Sequence, residues 1–289
     1  MSESTLAPKL RLMPLPERGE GAPIVHAPAL EQAPVVAHLQ VAERCWLITL
    51  RAPAIAQRAQ PGQFVMMTLA REGEAAPVLP RPMAIYAWDR ETGTIQVLYR
   101  VVGEGTRSLT RWRPGERMTT VGPLGRGFSL LPETSSILLL GRGIGTCSLT
   151  ALSEVAARRG AAVHAVVSAR GPEALVGSDV YRRARALTIL EVVDTDGSSS
   201  VQALRPGLES LVQAEAVRQI FVCGSHRLLA LGAQLGARVG ATVQVSLEAH
   251  MACGLGYCHG CSSGHPGLAE EAPLVCKDGP VFACVEAPE

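Results

Sequence analysis

Between residues 35 and about 131, apolar and polar positions fall into short runs with the period of half-buried strands. The runs are 45–51, 63–69, 83–88, 94–102 and 117–121. The pairs Pro61-Gly62, Thr92-Gly93, Pro114-Gly115 and Gly122-Pro123 punctuate them as turns. Short strands at this spacing predict a small antiparallel β-barrel. At Ser136 the texture changes. Residues 137–140 are wholly apolar, as a strand buried on both faces requires. The turn Gly141-Arg-Gly-Ile-Gly145 follows. A helix over 148–159 carries Leu149, Leu152, Val155 and Ala156 on one face and stops at Gly160. Strands at 163–168, 187–193, 220–223 and 242–247 alternate with helices over 201–212 and from Ser225 to Val239. That alternation predicts a parallel sheet with crossover helices. Residues 248–289 lose periodicity and are rich in Cys, Gly, Pro and His, so a piece this small needs a staple.

The pattern thus predicts a multidomain α/β and α+β chain. It comprises an extension over 1–34, a barrel over 35–132, an α/β domain over 133–247 and a small module over 248–289. The extension is rich in Pro, Ala and Glu and is expected to be disordered. It lacks the basic start and apolar middle of a secretory signal. No apolar run reaches the roughly 18–20 residues that span a bilayer. These features predict a cytoplasmic protein.

Composition narrows the function. The chain has 289 residues with 27 basic and 26 acidic side chains, a net charge of +1, so nothing points to nucleic acid or an anionic membrane. Aromatics are only 4%, which leaves Val, Leu, Ile and Ala to fill the cores. Of eight cysteines, Cys45, Cys147 and Cys223 are scattered, whereas five crowd between Cys253 and Cys284. In a reducing compartment that crowding favours a metal site over disulfides.

The crowded segment reads Cys253-Gly-Leu-Gly-Tyr-Cys258-His-Gly-Cys261, then fourteen residues, then Cys276. C-x4-C-x2-C with a distant fourth cysteine is the plant-type [2Fe–2S] spacing. Gly254, Gly256 and Gly260 allow positive φ and bring N–H groups close to sulfur. Structural zinc is the competing reading, but zinc sites usually pair short knuckles, and here Cys276 has no close partner before Cys284. Cys284 is expected to be a free thiol, and His259 and His265 are not needed as ligands.

Met251 to Cys261, followed by Val275-Cys-Lys-Asp-Gly-Pro-Val-Phe282, resembles the electron-transfer subunit of the class B dihydroorotate dehydrogenases, in the ferredoxin–NADP⁺ reductase superfamily. The resemblance implies an FAD-binding barrel, a nicotinamide-binding α/β domain and a [2Fe–2S] domain in that order. It also implies that Cys253, Cys258, Cys261 and Cys276 hold the cluster. Arg81-Pro82-Met83-Ala84 resembles the family's Arg-Pro-x-Ser flavin motif, in which the arginine meets the FAD pyrophosphate. Leu98, Tyr99, Arg100, Gly105 and Thr106 stand where the family makes further FAD contacts, and 122–128 matches its barrel-closing segment. Ala84 departs from the usual hydroxyl near flavin N5.

By the same resemblance, Gly141, Gly143 and Gly145 line the NAD phosphates, as amides at a helix N-terminus favour. Arg142 replaces a glycine there and Ser148 a proline. Cys223-Gly224 and residues 194–198 also echo the family.

The resemblance implies electron transfer from the FMN of a dihydroorotate-oxidising catalytic subunit, through the cluster and FAD, to NAD⁺. Two subunits of each kind would form a heterotetramer. No catalytic acid, base or nucleophile is expected, because the cofactors carry the chemistry. His164, His226 and His250 therefore read as structural or surface residues. Alternatives are a reductase subunit serving another oxidoreductase and a redox-sensing module without nicotinamide activity.

Overall fold

The computed structural model describes residues 10–16, 22–23, 25–71, 73, 79–264 and 272–286. A first strand, β1 (Leu10–Pro14), precedes the barrel elements. These are β2 (Ala29–Ala42), β3 (Cys45–Arg51), α1 (Pro53–Arg58), β4 (Phe64–Met67), β5 (Arg81–Ala84), β6 (Ala87–Asp89), β7 (Thr94–Arg100), α2 (Glu104–Leu109) and β8 (Arg117–Leu124). The seven strands run β5-β4-β8-β2-β3-β7-β6, all antiparallel, and curl into a half-barrel. Inward positions alternate as a pleat demands: Ile48, Leu50, Val65, Met67, Ile95 and Val97 are fully buried. Pro53 opens α1, and the Glu31 carboxylate accepts the N–H groups of Ala54 and Ile55, fixing that helix across the barrel mouth.

The second half comprises β9 (Ser136–Arg142), α3 (Cys147–Arg158), β10 (Ala162–Ala169), α4 (Ser178–Arg183), β11 (Thr188–Val193), α5 (Val201–Ala214), β12 (Gln219–Cys223), α6 (His226–Val239), β13 (Thr242–Ser246) and β14 (Val281–Glu286). The sheet order is β1-β14-β13-β12-β9-β10-β11. β9 through β13 are parallel, and β14 and β1 add antiparallel strands at one edge. Residues 137–140 of β9 are completely buried, which is why that run carries no polar position. The strand order reverses between β9 and β12, so the crevice beyond their carboxyl ends is where a doubly wound sheet binds its ligand.

Two expectations need correction. The extension over 1–34 is not disordered throughout. Leu10–Pro14 pairs with β14, placing Leu12 opposite Cys284 with 1% exposure, and residues 29–34 pair with β8. The five-residue alternation of β1 was too short to stand out in its Pro- and Glu-rich surroundings, and the edge of β14 supplies its partner. Residues 1–9 lie outside the described residues. The cysteine segment is also not wholly irregular, since residues 281–286 return as β14.

Candidate electron-transfer site

The loop from Cys253 to Cys261 is braced from two sides. A Cβ on Gly254 would lie 2.5 Å from Met66 Cγ on β4, and one on Gly256 would lie 2.9 Å from Lys277 Cδ. Both glycines have positive φ, +69° and +79°. Cys261 and Cys276 are buried among Phe64, Met66 and Leu124 of the barrel and Phe282 of β14. Cys258 is exposed.

The Cys258 thiol hydrogen-bonds Cys253, and Cys276 feels both its hydrogen-bonded neighbour Cys261 and the charge of Cys253. Backbone N–H groups point at the sulfurs: Leu255 donates to Cys253 Sγ at 3.4 Å, Gly256 to Cys276 Sγ at 3.1 Å and Cys276 to Cys261 Sγ at 3.4 Å. Burial opposes ionisation of Cys253, but the N–H groups of Leu255, Cys258 and Tyr257 and the Cys258 thiol outweigh it and hold its pKa down to about 6. Cys276 is pushed up to about 12 by burial and by the hydrogen bond and charge of Cys261, against the Gly256 N–H. Among the described residues, no three Cys, His, Asp or Glu side chains are grouped to hold a single metal ion. Four cysteine thiols are the donor set that a [2Fe–2S] cluster takes.

The predicted flavin residues line β5, β7 and the start of α2. Arg81 Nη1 donates to Leu79 O at 2.8 Å. Its Nε and Nη2 lie against Gly105, where an added Cβ would come within 2.9 Å of Nε. The guanidinium thus lies against the first turn of α2, whose leading amides have no acceptor within the helix. Pro82, Met83 and Ala84 pair with Met66, Val65 and Phe64 of β4. The cysteine loop therefore touches β4, and β4 touches β5.

Two predicted residues turn inward. The Thr106 hydroxyl accepts the N–H groups of Val102 and Gly103 and is occupied in closing its own turn. Tyr99 is buried, with its hydroxyl 2.9 Å from His38 Nε2. Leu98 and Arg100 lie on the opposite face of β7, where Leu98 is buried with Tyr86, Val176 and Val180 and Arg100 stays half-buried. A cleft of about 590 Å³ between the barrel and α4 includes Leu98, Tyr86 and Ser178 but not Arg81, Gly105 or the cysteines.

At the sheet crevice, the turn 141–145 and Gly224 pack backbone to backbone. A Cβ on Gly145 would lie 2.8 Å from Gly224 Cα. Gly145 leaves no room for a side chain, whereas Gly143 has open space and is suited to glycine by its φ of +54°. Arg142 is tied back by Asp194, a contact that pattern reading did not anticipate because it depends on the β9–β10–β11 register. Ser225 stands at the N-cap of α6 without a side-chain capping bond. Cys223 is fully buried and its thiol is raised to about 12 by burial and by Glu248, against hydrogen bonds with Ser148 and Ser246. Glu248, just beyond β13, keeps accessible surface yet is enclosed enough that desolvation raises its carboxyl pKa.

Comparison with known proteins follows this geometry. Residues 248–286 match the family described as the iron-sulfur cluster binding domain of dihydroorotate dehydrogenase B. The structure described as an NADH-dependent reduced ferredoxin-NADP oxidoreductase superposes with a TM-score of 0.72 at 23% identity, covering 88% of each chain. The ferredoxin reductase of carbazole 1,9a-dioxygenase gives 0.60 at 20% identity over 75% of this chain and 68% of that one. Half-barrel, parallel sheet and cysteine module thus define a ferredoxin reductase-like fold with a C-terminal iron–sulfur domain.

The Geobacillus thermodenitrificans protein named dihydroorotate dehydrogenase B (NAD(+)), electron transfer subunit, is 34% identical over 260 residues, 89% of this chain and 97% of that one. The Desulforamulus reducens protein of the same name is 31% identical over 254 residues, 86% and 95% of the two chains. The chain belongs to this family of dihydroorotate dehydrogenase B electron transfer subunits.

Proposed function

We propose that this chain carries electrons between an FMN-containing dihydroorotate dehydrogenase catalytic subunit and NAD⁺, using a [2Fe–2S] cluster and FAD. The observation that carries the reading is the stacking of sites: the cysteine loop packs on Met66 of β4, and the Cα partner of Met66 on β5 is Pro82 of the flavin motif. When bound, FAD exchanges electron pairs with a nicotinamide and single electrons with an iron–sulfur cluster.

The protein's part is to hold and orient. Cys253 and Cys258 would bind one iron, and Cys261 and Cys276 the other. The amides of Leu255, Gly256 and Cys276 would stabilise negative charge on the thiolates. Arg81 and the first turn of α2 would take the flavin pyrophosphate, while Pro82, Met83 and Ala84 present backbone to the ring. Leu98 and Arg100 would add contacts from β7, whereas Tyr99 and Thr106 support the frame. The glycine floor of 141, 143 and 145 would let a dinucleotide approach the backbone.

In this reading the functional units are a barrel over 35–132, a nucleotide domain over 133–247 and a cluster module over 248–289. The holoenzyme has two chains of each subunit in the cytoplasm. Among the described residues no helix is long and apolar enough to cross a membrane.

The test is anaerobic purification with iron, acid-labile sulfide and flavin measured per chain, followed by mixing with the catalytic subunit. Two irons, two sulfides and one FAD, with dihydroorotate-dependent NADH formation only in the mixture, are expected. A colourless or zinc-bearing chain overturns the cofactor assignment. A fully loaded chain that supports no NADH formation with the catalytic subunit overturns the partner.

A further inference from the structure

Basic charge in this chain is carried almost entirely by arginine. There are 25 arginines and two lysines, Lys9 and Lys277. Lys277 directly follows Cys276 and is the one lysine among the described residues. An ammonium is a compact point charge on an unbranched stem, whereas a guanidinium is a planar fork that seeks several acceptors. A position that takes lysine amid so many arginines is one where a narrow stem and a bare charge suit the surroundings.

Those surroundings are the cysteine loop. A Cβ on Gly256 would lie 2.9, 3.1 and 3.4 Å from Cδ, Cβ and Cγ of Lys277. The stem therefore runs across the Gly256 backbone, which has no side chain to hold it off. The Gly256 amide beneath it donates to Cys276 Sγ at 3.1 Å. The root of the stem is fixed by its own turn, since the N–H groups of Lys277 and Asp278 both donate to Leu274 O, at 3.1 and 2.8 Å. The Asp278 carboxylate is turned back onto the Leu274 N–H at 2.7 Å. Among the described residues no carboxylate forms an ion pair with Lys277, which is exposed.

Resting on the cluster reading above, we propose that Lys277 is a positioning residue that raises the reduction potential of the [2Fe–2S] site. Its stem packs on the Gly256 peptide and keeps that N–H on Cys276 Sγ. Its ammonium adds an unpaired positive charge beside the same ligand. One electron accepted at the site adds one negative charge among the four sulfurs, and both a nearby cation and an aligned N–H favour that state. Water and salt screen a charge at the surface, so the effect is a tuning of the potential and not a condition for holding the metal.

A potentiometric titration of the full chain, purified anaerobically with its cofactors and followed by the electron paramagnetic resonance of the reduced cluster, tests this. Lys277→Gln is expected to keep two irons and two sulfides per chain. At a given potential its ratio of reduced to oxidised cluster should fall roughly three- to tenfold, about 30–60 mV for one electron. Lys277→Arg keeps the charge and should stay close to the wild type. A merely structural role would lower iron content or thermal stability and leave the potential alone, so an unchanged potential in loaded Lys277→Gln overturns the proposal. Should that variant fail to load, acetylation of assembled wild-type protein removes the lysine charge after the metal is in place, with Lys277→Arg protein treated alike as the control. A fall in potential confined to the wild type is expected, and equal behaviour of the two proteins overturns the proposal. A wild type without iron and sulfide removes the cluster reading and this inference together.

Discussion

The cysteine loop and the nucleotide crevice are built on opposite plans. The loop collects three of its four thiols from nine consecutive residues, and glycines with positive φ bend it around the sulfurs. The crevice collects Arg142, Ser168, Asp194 and Arg227 from four separate segments, brought together by the order of parallel strands. A site made by local chain geometry tolerates little change in any one ligand. A site made by tertiary register can exchange individual side chains and retune.

The sharpest way to break the comparison is at the thiols. Cys258→Ser is expected to abolish cluster assembly while FAD remains near one per chain, read by iron, sulfide and flavin analysis. Full iron and sulfide in that variant would mean the ligand set is wrong. Cys284→Ser, in β14 opposite Val243 and Leu12, is expected to leave iron content unchanged. It separates the four spaced thiols from the fifth.

Flavin binding comes next. Arg81→Ala removes charge-assisted hydrogen bonds of roughly 1.5–3 kcal/mol, so FAD affinity is expected to fall about ten- to hundredfold with the cluster retained. Gly105→Ala tests the same contact from the other side, because its Cβ would fall within 2.9 Å of Arg81 Nε. It should weaken FAD in the wild type and have little further effect once Arg81 is alanine. Additive losses would show that Gly105 acts independently of the arginine.

The contact between modules gives a smaller effect. Gly254→Ala places a Cβ 2.5 Å from Met66 Cγ at a φ of +69°, at an expected cost of about 1–3 kcal/mol. Met66→Ala in the same chain should recover the steric part but not the backbone part. Thermal unfolding of the holoprotein reads both. An uncoupled double mutant would mean the loop does not rest on β4.

Legibility in the sequence follows the same division. The cluster motif was readable because its geometry is covalent and local, and the alternation of strands and helices was readable because period 3.6 and period 2 report burial directly. The grouping of Arg142, Asp194 and Arg227 was not readable, since no spacing between residues 142, 194 and 227 encodes adjacency until strand order is known. β1 was missed for a related reason: five residues acquire meaning only beside β14, more than 260 positions away. Side-chain direction was the other gap. The family's flavin segment drew attention to Leu98, Tyr99 and Arg100 together, yet a pleated strand sends neighbours to opposite faces, and Tyr99 went to the core.

That last point is itself testable with the smallest effect. The Tyr99 hydroxyl sits 2.9 Å from His38 Nε2, and His38 Nδ1 sits 3.0 Å from the carbonyl of Trp112, so the tyrosine anchors β7 to β2 and the segment after α2. Burial raises the pKa of Tyr99 and lowers that of His38, so both are neutral at pH 7 and the bond joins uncharged groups. Tyr99→Phe keeps the ring and leaves His38 Nε2 without its partner, at a cost of about 1 kcal/mol in unfolding free energy. Flavin affinity should stay within about twofold, because the hydroxyl points away from the face that carries Leu98 and Arg100. Lowered FAD affinity at unchanged stability would return Tyr99 to the flavin site. Lowered stability at unchanged affinity fixes it as part of the barrel frame.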